Sequence, residues 1–144
     1  MTPCARASGC RRARGRIDES RQCPPPGAVG DPAGKSFTGE PLTDGHGHGT
    51  HCAGSIAQWT GNGIHAAGLA KDATILPIKV LSNGGSGYVD WIAGGIDYAT
   101  QHGADVISMS LGSSQESKVI SAAIDRAIAK GVLVTKAAAT DMAA

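Results

Sequence analysis

Between Thr74 and Val134 the chain alternates apolar runs with segments of helical period, and this alternation limits the fold more than any other feature. Thr74 to Leu81 reads as a buried strand. Tyr88 to His102 places Ile92, Ile96 and Ala99 on one helix face at i, i+4 and i+7, with Gly103 as the stop. Ala104 to Leu111 is a strand around Val106 and Ile107. Ser117 to Lys130 is a second helix through Ile120, Ala123, Ile124, Ala127 and Ile128, stopped by Gly131. Val132, Leu133 and Val134 open a third strand. Strands and helices alternating at this length mean βαβ units, right-handed crossovers and a parallel sheet, which is the α/β class. Pro77 counts against a central position for its strand unless the missing N–H falls at a bulge or on an unpaired side.

Ligands of such sheets bind beyond the carboxyl ends of the strands. The loops Ser82 to Gly87 and Ser110 to Ser114 lie there. Upstream, Asp44-Gly45-His46-Gly47-His48-Gly49-Thr50-His51-Cys52-Ala53-Gly54 sets three histidines within six residues, between glycines. Thr50 to Gln58 reads as a helix, so His48 stands at its mouth. Asp44 is read as a turn or cap residue. Thr60-Gly61-Asn62-Gly63 is a turn.

The domain that these elements build excludes some partners. Net charge is +1, giving no reason to propose nucleic acid or a membrane surface as partner. No apolar run reaches the roughly 18 residues of a membrane span. Aromatics are only 3% of the chain, so the core must come from Ala, Val, Ile and Leu. Residues 1–35 differ in kind. Arg6, Arg11, Arg12, Arg14, Arg16 and Arg21 stand against Asp18, Glu19 and Asp31, and Pro24-Pro25-Pro26 forces extended backbone. With Ile17 and Val29 as the only aliphatics beyond Ala, this segment is expected to be a disordered, dispensable tail unrelated to residues 36–144. No apolar core of a signal peptide follows its basic start. Cys4, Cys10 and Cys23 match no zinc spacing. Cys52 is read as a small buried hydrophobe.

Two chemistries compete for the histidines. A zinc hydrolase could use His46, His48 and His51, but Thr50 stands where the H-x-H-x-D-H pattern needs a carboxylate, and His65 and His102 are isolated. No metal is expected on these grounds. The other chemistry is nucleophilic hydrolysis with His48 as base.

For the second, the motifs extend along the chain. His48-Gly49-Thr50-His51-Cys52-Ala53-Gly54-Ser55 resembles the histidine motif of the subtilisin-like serine proteases, especially the branch with Cys after the second His. Gly68-Leu69-Ala70, Ile75 to Leu81, Gly85-Ser86-Gly87, Trp91 and Gly103 to Gly112 are similar to successive family segments. The resemblance runs from about Ser36 to about Ala138. It implies a three-layer α/β sandwich, here incomplete, with His48 as general base and His51 structural. It implies that Gly85, Ser86, Gly87 and Ser110, Leu111, Gly112 are the two edges that clasp an extended peptide or protein substrate. No cofactor is implied; some members bind calcium near the loop of Asn62, and members are often secreted.

The departures define what this stretch could do. The family order is Asp, His, Ser. Asp18 is the one upstream candidate for the aspartate, but Arg14-Gly15-Arg16-Ile17 before it is not a buried strand. Ala137-Ala138-Ala139-Thr140 stands where an oxyanion asparagine is expected, and no Gly-Thr-Ser-Met-Ala segment occurs. The expectation is a fragment of a subtilisin-like endopeptidase that keeps the base and the binding edges, is inactive as this chain, and self-associates. A non-catalytic peptide-binding module is the alternative.

Overall fold

The computed structural model describes residues 33–58, 67–70, 73–112 and 116–137, together with the backbone of residues 4–7. Along these residues run β1 (Cys4–Ala7), β2 (Lys35–Ser36), α1 (His48–Ala57), β3 (Ile75–Lys79), α2 (Val89–Gln101), β4 (Ala104–Met109), α3 (Lys118–Ala129) and β5 (Leu133–Lys136). From β3 onward this is the βαβαβ alternation expected from periodicity. Gly103 and Gly131 follow the two helices at φ 74° and 81°, the left-handed stop that only glycine adopts without strain. None of the described helices is long and apolar enough to cross a membrane.

The sheet has the order β2-β3-β1-β4-β5. β2 is parallel to β3, and β4 to β5. β1 lies antiparallel between β3 and β4, with Ala5 opposite Leu76 on one side and Ile107 on the other. β3 and β4 are therefore parallel to each other. The strand at Cys4–Ala7 departs from the expectation of disorder over residues 1–35. The crossover through α2 returns the chain two strand positions from β3, leaving one place between β3 and β4. The two facing rows of backbone groups then need partners, which any extended segment can supply whatever its side chains. Residues 8–32 lie outside the described residues.

Pro77 is accommodated as the sequence requires. Phe37 N donates to Lys79 O at 2.8 Å, so Lys79, and Pro77 two residues before it, turn their backbone groups toward β2. β2 pairs only with Ile78 and Lys79, so the missing N–H falls where that ladder has ended.

The core is aliphatic. Leu76, Ile78 and Val80 of the β3 run, Ile107 and Met109 of β4, and Ile96 and Ala99 of α2 are buried together. Gly95 brings α2 down on β3: a Cβ there would come to 2.5 Å from Val80 Cγ1. α3 adds Ala123 and Ala127, while Ile128 of the same predicted stripe is 56% exposed. Arg126 grips Asp97 of α2 through Nη2–Oδ2 at 2.7 Å and Nε–Oδ1 at 3.1 Å. At the end of α1, Gly68, Leu69 and Ala70 donate N–H groups to the carbonyls of Gln58, Ser55 and Ile56. These are carbonyls that a helix end leaves without partners.

Candidate active site

α1 starts at His48, with Gly47 before it at φ 87°. One carboxylate organises this start. Asp44 Oδ1 accepts from the N–H groups of His46 at 3.1 Å and Gly47 at 2.9 Å. Its Oδ2 accepts from Thr50 N at 2.7 Å and from Thr50 Oγ1 at 2.8 Å. Partial burial pushes the Asp44 carboxyl up, but the bonds from Thr50, Gly47 and His46 outweigh it and hold the group well below the usual carboxylate range. The negative charge also suits the positive end of the helix.

His48 is half-buried. One turn on, Cys52 Sγ lies 3.6 Å from His48 Nδ1 and 3.9 Å from Nε2. Cys52 is a free, half-buried thiol against the imidazole rather than a buried hydrophobe. The His46 and His48 ring centroids are 6.4 Å apart and His51 is exposed. Among the described residues, no group of three or more His, Cys, Asp or Glu side chains is placed to hold a metal ion, the three histidines included.

The loops after β3 and β4 leave the same edge of the sheet. After β3 the chain makes a turn in which Gly85 N donates to Ser82 O at 2.9 Å and Ser82 N to Ser86 O at 2.8 Å. Gly85 has φ 80°, and Gly85, Ser86 and Gly87 are exposed. This turn meets the histidine segment: a Cβ on Gly85 would lie 3.5 Å from His46 Nε2, and Gly45 N donates to Asn83 Oδ1 at 3.1 Å. After β4, Leu111 is buried and Gly112 exposed. Asp18 and Asn62 lie outside the described residues.

A further group was not singled out from the sequence. Lys79 Nζ donates to Thr43 O at 2.9 Å and to Asn83 Oδ1, and pairs with Glu40 Oε2 at 3.2 Å. The available signal was a lysine inside the apolar run Ile75 to Leu81, because lysine is almost never fully buried without partners.

Comparison with known proteins bears on this arrangement. A model of the subtilase family (peptidase S8) matches residues 23–141. The chain belongs to the subtilase family. The match takes in residues 23–35, part of the segment expected from its composition to be an unrelated tail. This subtilase chain is 46% identical to subtilisin DY of Bacillus licheniformis over 96 residues, covering 67% of the chain and 35% of that protein. It is 44% identical to thermitase of Thermoactinomyces vulgaris over 115 residues, covering 75% of the chain and 41% of that protein. Among solved structures, sphericase superposes with a TM-score of 0.65 at 41% identity, over 71% of this chain and 37% of that one. The subtilase chain thus spans well under half the length of these relatives. Its fold is the α/β fold of the family, in part.

Proposed function

We propose that these residues form the base-bearing and peptide-binding part of a subtilisin-like serine endopeptidase. The observation that carries this reading is the meeting of the histidine segment with the Ser82–Gly87 turn at the carboxyl edge of the sheet. In this reading His48 takes the proton from a serine hydroxyl and returns it to the leaving amine. Gly85 to Gly87 and Ser110 to Gly112 flank an extended peptide and pair with it as added strand. Asp18 is the candidate in this chain for the carboxylate that orients the base. The family names of the relatives support a peptide or protein substrate.

In this reading a polypeptide of these 144 residues alone should not cleave peptide, because no Gly-Thr-Ser-Met-Ala segment supplies the serine. A general base accelerates only a proton transfer that another group requires. In subtilisin itself, loss of the serine or of the histidine costs about 10⁶ in turnover, nearly the whole effect of the triad.

The deciding experiment is a chimera in which residues 36–137 replace the matching segment of subtilisin DY. It should hydrolyse a chromogenic tetrapeptide, and His48→Ala should lower kcat by about 10⁶. An active chimera indifferent to His48→Ala would remove His48 from the role. The isolated chain should show no turnover and no labelling by a fluorophosphonate. Labelling at Ser108, Ser110 or Ser113 would identify a replacement nucleophile and overturn the expected inactivity.

A further inference from the structure

Lys79 is the one buried charged side chain among the described residues, 3% exposed on a strand whose buried neighbours are Leu76, Ile78 and Val80. An ammonium in such a place is tolerated only when its protons are met by acceptors. Its three acceptors are Glu40 Oε2, Thr43 O and Asn83 Oδ1, which matches the three N–H bonds of the group. Two of them belong to the segment leading into α1, and the third to the turn after β3. The partners are also tied to one another. Asn83 N donates to Glu40 Oε2 at 2.8 Å, and Asn83 Oδ1 accepts from Gly45 N at 3.1 Å.

Among the described residues, the hydrogen bonds of Asp44 are all local, reaching no further than Thr50, so they shape the start of α1 without fixing it to the sheet. Among the described residues, the bonds that join residues 40–45 to the sheet side run to Lys79 or to its partner Asn83. The seam is close: a Cβ on Gly45 would come to 2.6 Å from Asn83 Oδ1.

We propose that Lys79 is a positioning residue that latches the histidine-bearing segment 40–47 to the peptide-binding turn 82–87, so that His48 and the Gly85–Gly87 edge keep one fixed separation. The purpose of this latch rests on the protease reading; its geometry does not. Lysine suits the task because one compact charge on a flexible stem can reach three acceptors in different directions from the end of a strand.

The test uses the full 144-residue chain, by NMR, carrying Leu133→Lys throughout to limit association through the exposed β5 edge, with Lys79→Met and the double variant Lys79→Met/Glu40→Gln compared against it. The double variant removes the carboxylate left without its cation, so it folds where the single one does not. Exchange of the Gly45 and Asn83 amides should rise roughly ten- to a hundredfold in either variant. The Ile96 and Ile107 amides in the core should rise much less, and the nuclear Overhauser contact between the His46 ring and Gly85 should vanish. Equal acceleration at all four amides with that contact retained would show a lysine that only supports the core, and would overturn the proposal. If the single variant fails to fold, the double variant decides by the same criteria. None of these readouts uses turnover. An inactive chimera would therefore sink the protease reading and leave the latch to be judged on exchange and contact alone.

Discussion

At the entrance to α1 a single carboxylate accepts four hydrogen bonds, and its charge is what makes them strong. Asp44→Ala should cost about 1 kcal/mol at neutral pH, the ordinary worth of a helix cap, read as faster exchange of the Thr50 amide. The pH dependence follows from the depressed carboxyl. Such a group stabilises the folded chain above the unfolded aspartate value of about 3.9, and that contribution is lost as pH falls below it. The difference between wild type and Asp44→Ala should therefore shrink as pH falls from about 4. A difference that stays constant through that window would mean the carboxylate charge does not hold the cap. Asp44 was legible as a cap because Asp before a helix start has a local reason to be there. The contact of Cys52 with His48 was less legible. It depends on which way two side chains one turn apart lean on α1.

Two glycines show how an element's surroundings set the sign of the same substitution. Gly54 lies inside α1, and a Cβ added there would meet nothing among the described residues closer than Gln58 Oε1 at 3.7 Å, an ordinary contact. Gly54→Ala should gain about 0.5–1 kcal/mol, because alanine loses less backbone entropy in a helix. Gly95 lies inside α2, where a Cβ would meet Val80 Cγ1 at 2.5 Å and Ile78 Cγ2 at 3.1 Å. The same helical gain of about 1 kcal/mol is available to Gly95→Ala. Displacing α2 from β3 costs about 1–3 kcal/mol, so the net change should be a loss. Denaturant melts of the two variants beside wild type check both signs. A stabilised Gly95→Ala would show that α2 and β3 can part without penalty.

For the whole molecule, the sheet order sets two further expectations. β5 is an outer strand, and Leu133 on it is 61% exposed. An exposed edge of backbone groups beside apolar side chains pairs with other chains. The chain should therefore associate at micromolar concentration, and Leu133→Lys should reduce the scattering. A monodisperse wild-type monomer with cooperative melting would count against this. β1 sits in the interior of the same sheet, between β3 and β4. Deleting residues 1–8 should lower the melting temperature, because it leaves two facing rows of backbone groups unpaired. An unchanged melt would return that segment to the dispensable tail expected from its composition.

The sequence by itself determined the elements from β3 to β5, their parallel sense, the start of α1 near His48 and the family. Each of these rests on local information: the period of apolar residues, a glycine stop, a capping aspartate, a motif with its residues in order. Tertiary structure decided what depends on groups distant in the chain. Cys4–Ala7 enters the sheet because β3 and β4 leave a place between them, a fact about strand order that no property of Cys-Ala-Arg-Ala encodes. Lys79 becomes a hub because Glu40, Thr43 and Asn83 converge on it, two of them from far back in the chain. Burial of a charge is settled by the partners that arrive around it, and those arrive only when the chain has folded.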